Sequence, residues 1–193
     1  AWVPPYMPDA KGDATTESAY FHGANRGKRS VSIDMSTEQG QSIIRKLAMV
    51  SDVLIENFKV GGLKKYGLDY ASLKRINPKL VYCSITGFGQ TGPYAQRAGY
   101  DFMIQAMGGL MSVTGTPEGE PMKVGVALVD VMTGLYAANA IQAALIHQLK
   151  TGDGQYIDLA LLDVQVATLA NQAMNFLVSG NNPQRLGNAH PNM

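Results

Sequence analysis

The sequence is poor in the features that mark several protein classes. It holds one cysteine, Cys83, in 193 residues, so an internal disulfide and a cysteine-based metal cluster are both excluded. Its three histidines, His22, His147 and His190, stand far apart and lack the spacing of metal ligands, so no metal is expected. Charged residues make up only 16% and the formal net charge is +1. That argues against bulk electrostatic binding of nucleic acid, while local cation clusters could still grip a small anion. No apolar run approaches the length of a membrane span, and no signal peptide is visible, so no membrane partner is expected and a reducing cytoplasm is the expected compartment. There is no G-x-S-x-G nucleophile elbow, no internal repeat and no low-complexity segment.

What is present is a globular chain of one domain's length, 46% hydrophobic. With so little charge, part of its surface is expected to face a partner. The chain opens at Ala1-Trp2 without an initiator Met and closes at Asn192-Met193 without an evident end to the fold. Residues 1–193 are therefore expected to form part of a larger domain.

Residues 1–28, rich in Pro, Gly, Asp and Thr, read as a leading loop. Ser30 to Met35 alternates, with Val31 and Ile33 on one face, and reads as a strand. Ser36 or Thr37 can cap a helix to about Val50, with Ile43, Ile44, Leu47 and Val50 on its apolar stripe. Asp52 to Glu56 reads as a buried strand, followed by a Gly61-Gly62 turn, a short helix ending near Tyr66-Gly67, and another from Tyr70 to Ile76. Leu80 to Thr86 is the strongest strand. A loop over Gly87 to Gly99 precedes a helix from Asp101 to Leu110. A long apolar helix is expected from Ala127 to Leu149, a strand from Gln155 to Ala160, and a last helix from Leu162 to Val178. Strands alternating with helices predict an α/β fold, a mostly parallel Rossmann-like sheet with helices on both faces.

Several segments suggest chemistry. Gly87-Phe88-Gly89-Gln90-Thr91-Gly92 matches G-x-G-x-x-G and follows a strand. However, Pro93 comes at once and the next helix starts later, so no helix N-terminus meets a pyrophosphate and NAD is not expected. Asn25-Arg26-Gly27-Lys28-Arg29-Ser30 places three cations beside a glycine, which suits either a solvated turn or a phosphate contact through residues such as Arg29. Glu56-Asn57-Phe58 ends a strand where open α/β sheets hold ligands: Asn57 can hydrogen-bond an amide or base, Phe58 can stack, and Lys65 can neutralise phosphate. Asp163 stands where the last strand hands over to a helix. A carboxylate there is either a simple cap or an anion held ready to react, its charge favoured by the helix dipole by about 0.3–1 kcal/mol.

Taken together, five segments resemble the family III CoA-transferases, the CaiB/BaiF family. They are Asn25 to Ser30, Asp52 to Phe58, Tyr82 to Pro93, Arg97-Ala98-Gly99-Tyr100-Asp101, and Gly152 to Gln155 running on through Leu161-Leu162-Asp163. The resemblance covers nearly the whole chain from about Ala24. It implies an enzyme that moves CoA from an acyl-CoA to a free carboxylic acid, with Asp163 as the catalytic aspartate passing through a mixed anhydride and an aspartyl-CoA thioester. It implies contacts to coenzyme A from Ile33, Asn57, Phe58, Lys65 and Arg97, and Arg29, Tyr100 and Asp101 complete the expected set. It also implies an interlocked homodimer. This chain would then be part of the large domain, without a first strand–helix unit and without the later small domain.

The same family contains 2-methylacyl-CoA racemases, which use a His–Asp pair for proton exchange. Tyr100 occupies the place of that histidine, and an ordinary tyrosine pKa near 10 makes it a poor base at neutral pH. Racemases also use an aspartate where Asp130 stands, which is expected here as a shared scaffold residue. A CoA-binding module without catalytic activity is the third reading.

Overall fold

The structure, a computed structural model, describes residues 5–192 and divides into two units, residues 1–33 and 34–193. The first unit holds an antiparallel hairpin, β1 (Tyr6–Pro8) and β2 (Ala14–Ser18), and a short helix, α1 (Ala19–Asn25). Here the structure corrects the expected loop. Asp9 organises the hairpin turn, its Oδ1 accepting from the backbone N–H of Lys11 at 2.8 Å and of Asp13 at 3.0 Å. Ser18 then caps α1 by accepting from the Phe21 N–H. Turn-forming composition hid a hairpin this short.

The expected strand over Ser30 to Met35 does not form. Val31 is 70% exposed. Alternation marks a strand only where a neighbouring edge completes its hydrogen bonds, and among the described residues this segment enters no ladder.

The second unit is built on three parallel strands in the order β3 (Val53–Glu56), β4 (Val81–Thr86), β5 (Tyr156–Ala160). The side chains of β4 alternate between two cores. Tyr82 packs on one face with Ala48, Leu63, Leu68, Leu73 and Leu80, while Ile85 packs on the other with Ile104, Val129 and Leu161. Burying each large apolar side chain completely, as at Leu73 and Ile104, contributes about 1.5–3 kcal/mol. The first core lies under α2 (Glu38–Met49) and α3 (Tyr70–Lys74), and Thr37 caps α2 by accepting from the Gly40 N–H. The second lies under α4 (Asp101–Met107), α5 (Leu128–Thr151) and α6 (Leu161–Thr168). Both faces of the sheet are thus covered, as the α/β pattern predicts.

Gly154 sets the start of β5. Its N–H donates to Pro78 O at 2.9 Å, and a Cβ there would lie 2.1 Å from Leu80 O, so only glycine lets the two strands begin side by side. By length and composition α5 is long and apolar enough to cross a membrane; one face of it packs on β4, β5, α4 and α6.

The single helix expected from Leu162 to Val178 is two helices, α6 and α7 (Asn171–Ser179). Leu169 and Ala170 tighten into i to i−3 hydrogen bonds, and Ala170 leaves helical geometry at φ 46°. Periodicity runs straight through this break, because no Pro or Gly marks it.

Candidate active site

The register aligns Glu56 with Ser84, and Thr86 with Ala160, so all three strands finish at one edge of the sheet. The segments that leave this edge begin with Asn57, Gly87 and Leu161. Such carboxyl ends are where open α/β sheets bind ligands.

The loop after β4 closes on itself. Gly87 and Gly99 lie back to back, so close that a Cβ on Gly87 would lie 2.5 Å from Gly99 Cα. Thr86 Oγ1 accepts from Gly89 N–H at 2.9 Å, and Asp158 accepts from Gln90 N–H at 3.1 Å. The glycine motif therefore shapes this loop, and α4 begins only at Asp101.

Between the loop and the end of β3 lies a cleft of about 190 Å³. Asn57, Phe58, Arg97 and Tyr100, four of the residues expected from sequence, line it together. Asn57 is held by donating from Nδ2 to Ile85 O, and Glu56 fixes the next turn by accepting from Phe58 N–H at 2.7 Å. The charged residues of the lining are Lys59 and Arg97, with no carboxylate among them. Phe58 and Tyr100 are exposed, so the cleft combines cations with accessible aromatic faces. Lys59 was missed in the sequence, although it stands only three residues past the strand end.

The other expected residues lie elsewhere. Lys65 belongs to a 3-10 turn, Lys64–Tyr66, with its Nζ 4.6 Å from the Tyr66 ring centroid, and it does not line this cleft. A second cleft, of about 320 Å³, shares Lys59 and Val60 with the first and is walled by Tyr70, Tyr82 and Tyr156. Arg29 and Ile33 belong to the first unit, Arg29 exposed and Ile33 half-buried.

Asp101 has an internal role. Its Oδ1 accepts from the N–H groups of Val129 at 2.8 Å and Asp130 at 3.4 Å, and its Oδ2 accepts from Gln105 Nε2 at 2.7 Å. It thereby caps α5 from the neighbouring helix. Gln105 is fully buried, and its Oε1 in turn accepts from Val124 N–H at 2.8 Å.

Besides Asp101, two more aspartates stand in first turns of helices. Asp163 is the third residue of α6 and exposed; Leu162 beside it donates its N–H to Gly87 O at 3.1 Å, on the cleft wall. Asp130 is the third residue of the 24-residue α5. Although the residue is exposed overall, surrounding protein partly desolvates its carboxyl, and this, with the nearby Asp101 carboxylate, raises its pKa above the usual 3.8. Cys83 is buried, and its thiol is pushed up to about 11 by that burial, which removes it as a nucleophile at neutral pH. Among the described residues no group of His, Cys, Asp and Glu could hold a metal ion.

Comparison with known proteins supplies the family. The sequence pattern described as CoA-transferase family III matches residues 3–193. The chain is 60% identical to the succinate–glutarate CoA-transferase of Agrobacterium fabrum, covering 100% of this chain and 48% of that protein. It is 46% identical to the human succinyl-CoA:glutarate CoA-transferase, covering 98% and 42%. A solved CAIB/BAIF family protein from Brucella suis superposes with a TM-score of 0.92 at 60% identity, covering 100% of this chain and 50% of that one. The chain spans about half the length of these relatives.

Proposed function

We propose, from the premise that this chain belongs to CoA-transferase family III, that the intact protein moves CoA from an acyl-CoA to a free carboxylic acid. Small dicarboxylates of the succinate and glutarate class are the proposed acids, since relatives at 60% and 46% identity carry those substrates in their names. One observation carries the reading most. At the carboxyl edge of the sheet, Asn57, Phe58, Arg97 and Tyr100 share a cleft whose charged lining is wholly cationic, which suits a phosphate-bearing ligand with a long polar tail.

The chemistry needs a carboxylate nucleophile. Its oxygen attacks the thioester carbonyl, the C–S bond breaks, and CoA leaves as thiolate, giving a mixed anhydride. The thiolate attacks the aspartyl carbonyl, the donor acid departs as carboxylate, and CoA is left on the aspartate. The acceptor carboxylate then attacks the carbonyl of this thioester, the C–S bond breaks, CoA leaves again as thiolate, and a second anhydride forms. The returning thiolate takes the new acyl group and frees the aspartate. No water and no net proton enter the cycle.

Asp163 is the nucleophile that the family resemblance suggests. Asp130 is the second reading, and on physical grounds we favour it. It stands at the positive end of the longest helix, in contact with the Asp101 network that begins beside Tyr100 in the cleft. Its carboxyl, raised above the ordinary carboxylate value first by desolvation and then by Asp101, is more basic, and so more nucleophilic once ionised, than a solvated one. In this reading Asp163 is a first-turn residue that favours the helix dipole.

Exchange of label between succinyl-CoA and glutarate, measured for Asp130→Asn and Asp163→Asn in the intact protein, decides between them. The expected result is loss of exchange by about a thousandfold or more for Asp130→Asn, the scale of losing a covalent nucleophile, and retention within tenfold for Asp163→Asn. The reverse pattern returns the role to Asp163. Full activity in both variants would end the aspartyl mechanism.

The proposed assembly is an interlocked homodimer. The outer face of α5 exposes Val131, Leu135, Ile146 and Leu149, a run of apolar surface that burial against a second subunit would remove from water.

A further inference from the structure

Arg97 is exposed and has no acidic partner among the described residues, yet its guanidinium is held in place by aromatic rings. Its central carbon lies 4.7 Å from the Tyr94 ring centroid and 6.0 Å from that of Phe88. The two rings meet edge to face, with centroids 5.5 Å apart. Phe88 is anchored below, packed on the core formed by Ile104, Val129 and Leu161. The backbone fixes the other side: Arg97 N–H donates to Tyr94 O at 2.9 Å, and the loop ends are pinned by the Gly87–Gly99 contact. Core, Phe88, Tyr94 and Arg97 therefore form one stack that ends at the cleft.

We infer that Tyr94 is a positioning residue for anion binding in this cleft, its ring holding the Arg97 guanidinium ready for a phosphate group of the ligand. A long flexible cation in water loses side-chain entropy when it grips an anion. A guanidinium already lying over a ring loses less, and its N–H groups can still meet oxygens. The ring, not the hydroxyl, carries the role, because no hydrogen bond from Tyr94 to Arg97 is needed for the stack. Tyr94 itself does not line the cleft, so its effect passes through Arg97.

The inference rests on the CoA reading above, and the test separates the two. Binding of CoA, 3′-dephospho-CoA and pantetheine to the intact protein is measured by calorimetry for the wild type, Tyr94→Phe, Tyr94→Leu, Arg97→Ala and the double variant Tyr94→Leu/Arg97→Ala. Expected are wild-type affinity for Tyr94→Phe and a three- to tenfold weaker Kd for CoA in Tyr94→Leu. Pantetheine binding should not change, the dependence of CoA affinity on salt should be shallower, and Tyr94→Leu should have no further effect once Arg97 is alanine. Thermal unfolding monitors the fold of each variant; if Tyr94→Leu fails to fold, Tyr94→Met carries the same comparison. Equal CoA affinity in Tyr94→Phe and the aliphatic variant overturns the positioning role, as does an undiminished effect in the Arg97→Ala background. A wild type that binds no CoA overturns the CoA reading as well, so the two failures are distinguishable.

Discussion

The Asp101 carboxylate accepts from the backbone N–H of Asp130 at 3.4 Å and of Val129 at 2.8 Å, so one aspartate caps the helix whose first turn bears the other. The arrangement satisfies the N–H groups of α5 and, by the same contact, brings two negative charges close together. The helix gains stability while Asp130 is held in a costlier ionised state.

That cost has a predictable pH signature. The folded-state pKa of Asp130 is raised, first by desolvation and then by Asp101. A group with a raised folded pKa contributes stability below its unfolded pKa and loses that contribution as pH rises through the folded value. Asp130→Asn, which keeps the uncharged form at every pH, should therefore be more stable than the wild type at pH 7. The gain should shrink toward zero as pH falls to the ordinary carboxylate value of 3.8. Paired thermal melts between pH 4 and pH 8 check this; a variant less stable than the wild type at pH 7 would contradict it.

Asp101→Ala should behave in the opposite way. It removes the cap on Val129 and takes from Gln105 Nε2 its 2.7 Å acceptor, leaving only the long 3.5 Å contact to Val126 O. Loss of a cap costs about 0.5–2 kcal/mol, and loss of the shorter amide hydrogen bond a further ~0.5–1.5 kcal/mol. Chemical denaturation should show a lower midpoint with an unchanged slope. Asp101→Asn, which can still accept through its amide oxygen, should recover part of the loss.

Much of this architecture was readable beforehand, for reasons specific to each segment. The buried run Leu80 to Thr86 and the capped helix after Thr37 form as expected, because hydrophobic pattern and local capping agree there. Asn57, Phe58, Arg97 and Tyr100 meet in one cleft because strand ends locate sites in such sheets. What failed depended on partners. Val31 and Ile33 alternate like a strand but enter no ladder among the described residues, and the hairpin of residues 6–18 depends on Asp9 hydrogen bonds that composition alone presents as loop. The internal role of Asp101 was hidden for the same reason: its contacts lie 28 and 29 residues away.

The break at Ala170 offers a test of local strain. A non-glycine residue at φ 46° is held in sparsely populated backbone space, a cost of about 1–3 kcal/mol. Glycine adopts that geometry freely but also gives the unfolded chain more entropy, so only part of the strain is recovered. Ala170→Gly is expected to raise stability by roughly 0.5–1 kcal/mol, whereas glycine inside an ordinary helix would lower it by a similar amount. Ala173→Gly, within α7, supplies that contrast in the same denaturation experiment.

The Gly87–Gly99 contact closes the loop that carries Arg97 to the cleft. A methyl group on either residue meets the backbone of the other, at 2.5 Å from Gly87 and 2.4 Å from Gly99, and neither backbone can move aside as a flexible side chain would. The loop must instead open, taking with it the stack that supports Arg97. Gly87→Ala and Gly99→Ala should each cost about 1–3 kcal/mol in stability, the scale of overpacking. Both should weaken CoA binding at least as much as Tyr94→Leu does. The double variant should lose far less than the sum of the two, because one opening relieves both clashes. Additive losses in a double-mutant cycle would mean that the loop yields at two separate places, and that its closure is not a single event.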